Sequence, residues 1–203
     1  ETDYKKKNDI GNLKISFKNK NNIFKYQINK NSLDVFSEDN NKIFRSLIEF
    51  KPFYLVSNFK YQSFRVTDLL YNPFFTEILK SQILTNKNLN AIINFDIKNV
   101  YDFNRFSDLS LKLKIEEGNY NFSNSSIIWK ENVNVSFSEA SLNFANEKIN
   151  LNGRTTFVIK DQDEFYKFFQ IKKDLRRNIG IIELDFDYDF NEEKITFDNL
   201  KID

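Results

Sequence analysis

Apolar and polar residues alternate with a period of two along most of this chain. In the segment DLSLKLKIEEGNYNF, residues 108–122, every second residue is apolar up to a Glu-Glu-Gly-Asn turn, and the alternation resumes after it. A strand with this period has one apolar face and one solvated face. The segment therefore predicts a β-hairpin whose apolar side must be covered by something else.

The same alternation recurs on both sides of this hairpin. Upstream it covers residues 13–17, 24–28, 33–35 and 89–97, with a less regular stretch from Ile43 to Tyr61, and downstream it covers residues 133–137, 142–144, 149–151, 155–159, 182–190 and 195–197. The turns between these segments are mostly short, as in antiparallel hairpins. The pattern predicts a mainly all-β fold, an elongated, curved antiparallel sheet of roughly a dozen strands, in a single domain over residues 1–203.

Two stretches have helical spacing instead. In NPFFTEILKSQIL, residues 72–84, Asn72 can cap a helix and Pro73 fits its first position. In DQDEFYKFFQI, residues 161–171, Asp161 and Glu164 form a capping box ahead of an apolar stripe. We expect two short amphipathic helices, and a weak internal repeat of residues 60–122 in residues 154–203 is one interpretation of their similar surroundings.

Composition narrows the classes of function. The chain has 23 Phe and 9 Tyr among 203 residues, which is typical of a folded protein, and its net charge is +1 with both signs interspersed. No large basic field is available for nucleic acid. Because the chain has no Cys, no His and only four Gly, the usual zinc sites, phosphate loops and His-based catalysis have no residues to build them. We expect no metal, no cofactor and no enzymatic activity.

Membrane attachment would have to come from outside this sequence. No run of residues is apolar enough to span a bilayer, and no signal peptide is present. The chain begins with Glu and contains no Met, which is typical of a piece of a longer protein. We expect any membrane anchor to lie outside it.

A cluster of basic residues follows the second predicted helix. The sequence KKDLRR contains Lys172, Lys173, Arg176 and Arg177. Their charges can stabilise the negative end of the helix dipole, or they can contact phosphate head groups at a membrane surface.

The predicted sheet can cover its apolar side in two ways. It can fold over as a closed sandwich, with its inner faces about 10 Å apart. It can also form a curved groove that an apolar ligand fills, since a six-residue strand spans roughly 20 Å, close to the length of an extended acyl chain.

A family resemblance favours the groove. The alternating segments from residue 109 onward, the NLNG turn at Asn150 to Gly153, the helix at Asp161 to Phe169 and the strand from Gly180 to Leu184 resemble the repeated unit in the C-terminal region of AsmA-like proteins. The resemblance covers about the last 95 residues, 109–203. It implies an inner-membrane-anchored, periplasmic protein of a Gram-negative bacterium whose β-groove, similar to that of chorein-type lipid bridges, moves phospholipid between the inner and outer membranes.

On this interpretation the partners are phospholipid or another acyl lipid, the membrane and other envelope proteins, but not nucleic acid. The residues expected to line the groove are those on the apolar phase of the central strands: Leu109, Leu111, Leu113, Ile115, Tyr120, Phe122, Val133, Val135, Phe137, Leu142, Phe144, Phe157, Leu184, Phe186 and Tyr188. The alternative is a closed β-sandwich that binds protein or glycan. An enzymatic alternative would need two buried carboxylates facing each other within about 10 Å.

Overall fold

Thirteen strands and one α-helix make up the part of the chain that the structure describes. The structure is a computed structural model that describes residues 9–17, 20–39, 42–65, 67, 86–101, 105–145 and 148–203. The strands are β1 (Asp9–Phe17), β2 (Lys20–Ile28), β3 (Ser32–Asp39), β4 (Lys42–Phe50), β5 (Phe53–Phe64), β6 (Ala91–Val100), β7 (Phe106–Glu116), β8 (Asn119–Asn121), β9 (Ser125–Trp129), β10 (Val133–Ala145), β11 (Lys148–Ile159), β12 (Ile181–Asp189) and β13 (Lys194–Ile202). The helix α1 spans Gln162–Phe168, and a 3₁₀ turn follows at Lys173–Leu175.

All thirteen strands belong to one curved sheet, which confirms the predicted all-β fold. The strands follow one another in chain order from β1 to β13, and β8 and β9 lie between β7 and β10 as two pieces of an interrupted strand. The described strands are thus not divided between two packed sheets, as the sandwich alternative requires.

One pair of strands departs from the expected antiparallel order. Strands β5 and β6 are parallel, with Leu55 opposite Ala91 and Phe64 opposite Val100. A parallel pair needs a connection that returns the chain to the starting end of the sheet, and residues 65–90 provide one. The helix expected at residues 72–84 falls in this connection and lies outside the described residues, so that prediction and the repeat that depends on it stay predictions.

The strand register keeps apolar residues on one face of the sheet. Across β4, β5, β6 and β7, for example, Phe44 pairs with Phe59, Phe59 with Phe95, and Phe95 with Leu111. Further along, Leu142 pairs with Leu151 and Leu151 with Tyr188. We call this side of the sheet the apolar face.

The opposite, polar face is stabilised by cross-strand hydrogen bonds and ion pairs. Arg154 on β11 donates from Nε to Asp185 Oδ1 on β12 at 2.8 Å, and Asn199 on β13 donates to the other carboxylate oxygen. These bonds hold the pKa of the Asp185 carboxyl below its ordinary value. Asn94 donates to Asn58 in the same way between β6 and β5. The sheet therefore separates a solvated side from a hydrophobic side along its length.

The predicted second helix forms where the sequence placed it. Asp161 Oδ1 accepts a hydrogen bond from the Glu164 amide at 3.0 Å and so caps α1. The helix packs over one end of the apolar face, where Phe165, Phe168 and Phe169 surround Trp129 with ring centroids 4.7 to 6.2 Å from the Trp129 ring.

Two hydrophobic clusters occupy opposite ends of the strands on the apolar face. The first is centred on buried Ala91, Ile115, Tyr120, Leu142 and Ile149. The second contains Val133, Val135 and Ile159, with Phe165 of α1 packed against it. The helix thus covers one cluster, while the half-buried positions between the two clusters stay in contact with solvent.

Candidate functional site

The structure places all fifteen residues expected to line a groove on the apolar side of the sheet. Leu109, Leu111, Leu113 and Ile115 on β7 pair with Ile97, Phe95, Ile93 and Ala91 on β6. Phe122 lies in the break between β8 and β9 and packs against the first cluster. The others follow the same phase on β8, β10, β11 and β12. The fifteen residues selected from the sequence pattern therefore lie on the same face of one sheet.

These fifteen residues differ in exposure. Six are buried, and nine are only half-buried. The buried ones are Ile115, Tyr120, Val133, Val135, Leu142 and Phe186, and the half-buried ones are Leu109, Leu111, Leu113, Phe122, Phe137, Phe144, Phe157, Leu184 and Tyr188. A two-layer core would bury most such side chains. Here the larger part of the set keeps contact with solvent.

An aromatic row crosses the apolar face and was not selected from the sequence. Phe24, Phe44, Phe59 and Phe95 follow one another with ring centroids 5.4, 4.8 and 4.4 Å apart, and all four are half-buried. Leu111 continues the row on β7. The aromatic row forms a hydrocarbon-lined track perpendicular to the strands, and it could be found only once the strand register was known.

Tyr120 is the polar exception within the first cluster. It is 2% exposed, and its ring lies 5.2 Å from that of Phe144. Its hydroxyl has no hydrogen-bond partner among the described residues. Burial raises the pKa of Tyr120 to about 12. A buried hydroxyl without a partner destabilises the folded state.

We expect Tyr120→Phe to stabilise the protein by about 1 kcal/mol near neutral pH, because the ring stays and the unpaired hydroxyl is removed. Urea unfolding at pH 7 measures this change. A loss of stability would show that the hydroxyl has a partner.

The pH dependence of that difference has a definite sign. The folded-state pKa of Tyr120, about 12, is above the ordinary value of 10. The free energy of unfolding therefore does not depend on the titration of Tyr120 below pH 10. It decreases as the pH rises from 10 through 12, because the unfolded chain releases the phenolic proton at a lower pH than the folded chain does. We expect the stability advantage of Tyr120→Phe to grow over this window, by up to about 3 kcal/mol. Unfolding curves of both proteins at successive pH values give the result.

The basic cluster after α1 divides into two kinds of residue. Arg176 has structural partners, since its guanidinium lies 3.5 Å from Asp163 and donates to the Ile171 carbonyl. The exposed side chains of Lys172, Lys173 and Arg177 have no such ion pair among the described residues. The expected head-group contact stays a prediction for all four residues.

A cleft on the polar face brings several carboxylate side chains together, as a carboxylate-based active site would. It has a volume of about 380 Å³ and is lined by residues that include Glu139, Arg154, Asp185 and Asp187. Asp185 is bonded to Arg154, and Asp187 accepts a hydrogen bond from Asn150. None of these carboxylates is buried, so the cleft lacks the facing buried pair that the enzymatic alternative needs.

Metal-binding groups and membrane-spanning helices can be assessed for the described part of the chain. No group of three or more Asp or Glu side chains there is placed to hold a metal ion. None of the helices in the described ranges is long and apolar enough to cross a lipid bilayer.

Comparison of the chain with protein-family models, with curated proteins and with solved structures finds no match. The resemblance to AsmA-like proteins therefore stays a prediction, and the function must be argued from the apolar face itself.

Proposed function

We propose that the apolar face binds the acyl chains of a lipid. The observation that supports the proposal is the half-buried state of most of the residues on this face, in a sheet whose described strands form a single layer. Removing such a surface from water is favourable, and a hydrocarbon ligand would cover it.

The size of the face suits such a ligand. The ring centroids of the aromatic row span at most about 15 Å, and Leu111 lies on the next strand, about 4.8 Å further, so the row and Leu111 together extend roughly 20 Å. An extended acyl chain has a similar length. Each methylene that the face removes from water contributes about 0.8 kcal/mol to binding.

The finer proposal follows the family resemblance. A sheet with a continuous apolar face can pass a lipid from strand to strand without exposing its hydrocarbon to water. We propose that the protein does so in the periplasm as part of an inner-membrane-anchored assembly, with phospholipid as the cargo.

The test places a charge on the face. We expect Leu111→Glu to reduce the lipid recovered with the purified protein about tenfold, because a carboxylate in the row excludes two or more methylenes from contact. Native mass spectrometry after gentle extraction, with lipid analysis of the bound fraction, measures the change. Phe44→Ser is a milder second variant, and Ser is already present beside it at Ser46.

Lys112→Glu is the matched control. Lys112 is the next residue on β7, is exposed, and points to the polar face. We expect it to retain lipid at the wild-type level. Equal lipid in all three folded variants, or wild-type protein without any bound lipid, would contradict the proposal.

A further inference from the structure

One edge of the sheet collects basic residues. The ends of β5, β6, β9, β11 and β13, the starts of β7, β10 and β12, and the segment from α1 to residue 180 lie at the same end of the strands. We call this edge the helix rim. It carries nine basic residues against six acidic ones among the described residues: Arg65, Arg105, Lys130, Lys160, Lys167, Lys172, Lys173, Arg176 and Arg177 against Glu131, Asp161, Asp163, Glu164, Asp174 and Asp203.

The opposite ends of the same strands are close to neutral. The described turns there at residues 51–52, 86–90, 117–118 and 190–193 carry Lys51 and Lys87 against Glu117, Glu192 and Glu193. The helix rim is therefore the more basic of the two edges, although the whole chain is close to neutral. A charge difference of this kind orients a protein toward an anionic surface.

The helix rim also exposes large apolar side chains. Phe169 at the end of α1 is 51% exposed, Leu175 in the 3₁₀ turn is 63% exposed, and Tyr101 after β6 is 69% exposed. The combination of basic and exposed apolar residues is typical of surfaces that bind at the membrane interface, where the charges contact head groups and the apolar side chains enter the acyl boundary.

Cations at this rim lie against aromatic rings. The guanidinium of Arg105 lies 4.9 Å from the centroid of the Phe168 ring, and Lys130 Nζ lies 4.3 Å from it. Phe168 packs at 4.7 Å on Trp129, which fixes its position. Basic groups are therefore held beside the exposed Phe169 ring, which lies 5.0 Å from Phe168.

We propose that the helix rim docks the protein onto an anionic phospholipid surface. Lys172, Lys173 and Arg177 contact the head groups, while Phe169 and Leu175 enter the interface. The aliphatic Leu175 favours a bilayer over a nucleic acid, since a leucine cannot stack on a base as an aromatic ring can. The docking does not depend on lipid binding by the apolar face.

The test measures flotation of the 203-residue chain with vesicles. We expect binding to vesicles of equal parts phosphatidylcholine and phosphatidylglycerol, and little binding to phosphatidylcholine alone. Each basic residue near an anionic surface strengthens binding about fivefold. The variant with Lys172→Gln, Lys173→Gln and Arg177→Gln should therefore bind roughly a hundredfold more weakly.

The control variant removes the same charge from the polar face. Lys60→Gln, Lys98→Gln and Lys112→Gln change three exposed lysines of β5, β6 and β7, and should leave vesicle binding within about twofold of wild type. Equal weakening by both triple variants would overturn the proposal, since it would show an effect of net charge alone. Equal binding to both kinds of vesicle would also overturn it.

A second pair of variants tests the apolar contribution. Phe169→Ser with Leu175→Ser should weaken vesicle binding at least tenfold, whereas Ile10→Ser with Ile23→Ser, two exposed residues elsewhere on the sheet, should not. Trp129 fluorescence checks that α1 stays docked in the first variant.

Binding of a single-stranded oligonucleotide as tight as that of anionic vesicles would overturn the proposal in favour of nucleic acid. Loss of binding in Leu111→Glu, with these variants unaffected, would assign the vesicle binding to the apolar face instead.

Discussion

The Gly153→Ala variant is expected to lose about 3 kcal/mol of unfolding free energy, a large effect for a single methyl group. Gly153 lies on β11 opposite the irregular part of β10, where the register shifts between Ser138 and Ser141. A Cβ at residue 153 would lie 2.6 Å from the Cα of Ala140 and 3.0 Å from its backbone nitrogen. Because both atoms belong to the backbone of a buried residue, β10 would have to move away from β11.

Urea unfolding of Gly153→Ala measures this loss, with Gly180→Ala as the matched control. The nearest atom to a Cβ at residue 180 is the Asp203 carbonyl oxygen at 3.9 Å, which is ordinary contact. We expect the control to change the unfolding free energy by less than about 0.5 kcal/mol. Similar midpoints for both variants would show that β10 adapts to the methyl group without cost.

Trp129→Ala is expected to destabilise the protein by about 3 kcal/mol and to release α1 from the sheet. Trp129 contacts Phe165, Phe168 and Phe169, so the substitution removes the surface on which the helix packs. An isolated helix of seven residues is not stable in water, since nucleation is unfavourable. Hydrogen exchange should therefore show loss of protection over Gln162–Phe168 together with the lower stability.

Phe197→Ala is the control for this variant. Phe197 is another large aromatic residue, but it is 58% exposed on β13. Its removal should lower stability by about 1 kcal/mol or less and leave the exchange of α1 unchanged. If Trp129→Ala kept the helix protected, the helix would be held by contacts other than the aromatic ones.

Alternation was sufficient to predict most of the sheet. Strands such as β7, β11 and β12 follow it over most of their length, because one face of each is mainly apolar and the other is mainly solvated. The sequence alternation is less regular in strands β4 and β5 because polar and apolar residues exchange faces at two positions of each strand. Ser46 and Ser57 occupy positions of the apolar phase, where their hydroxyls hydrogen-bond to each other at 2.8 Å, and Leu47 and Val56 occupy the polar phase.

The parallel pairing of β5 with β6 and the shift of register in β10 were not predicted. Each depends on which strand lies next to which, and a local pattern contains no such information. Glu139, within the shifted part of β10, has a positive φ angle of 53°, and glutamate is not a residue type from which a positive φ angle is predicted.

For the candidate site, the face on which each residue lies was predictable from the sequence, but the pairing of its strands was not. The phase of each strand placed all fifteen residues on the apolar face, since phase alone decides the side of the sheet. The aromatic row required the register of the five strands β2 to β6, with Phe24 on β2 and Phe95 on β6. The cationic contacts of Phe168 required knowledge of where the β9–β10 turn meets the helix.

The parallel pair β5–β6 also has a consequence for the order of folding. Most neighbouring pairs in the sheet are hairpins joined by short turns, whereas Leu55 must find Ala91, 36 positions further along, and no hairpin turn brings the two strands together. Closing a long loop costs more chain entropy than closing a hairpin. We therefore expect the segments before and after this junction to form as separate cooperative units, and their association to be the slow step that completes a continuous hydrophobic surface.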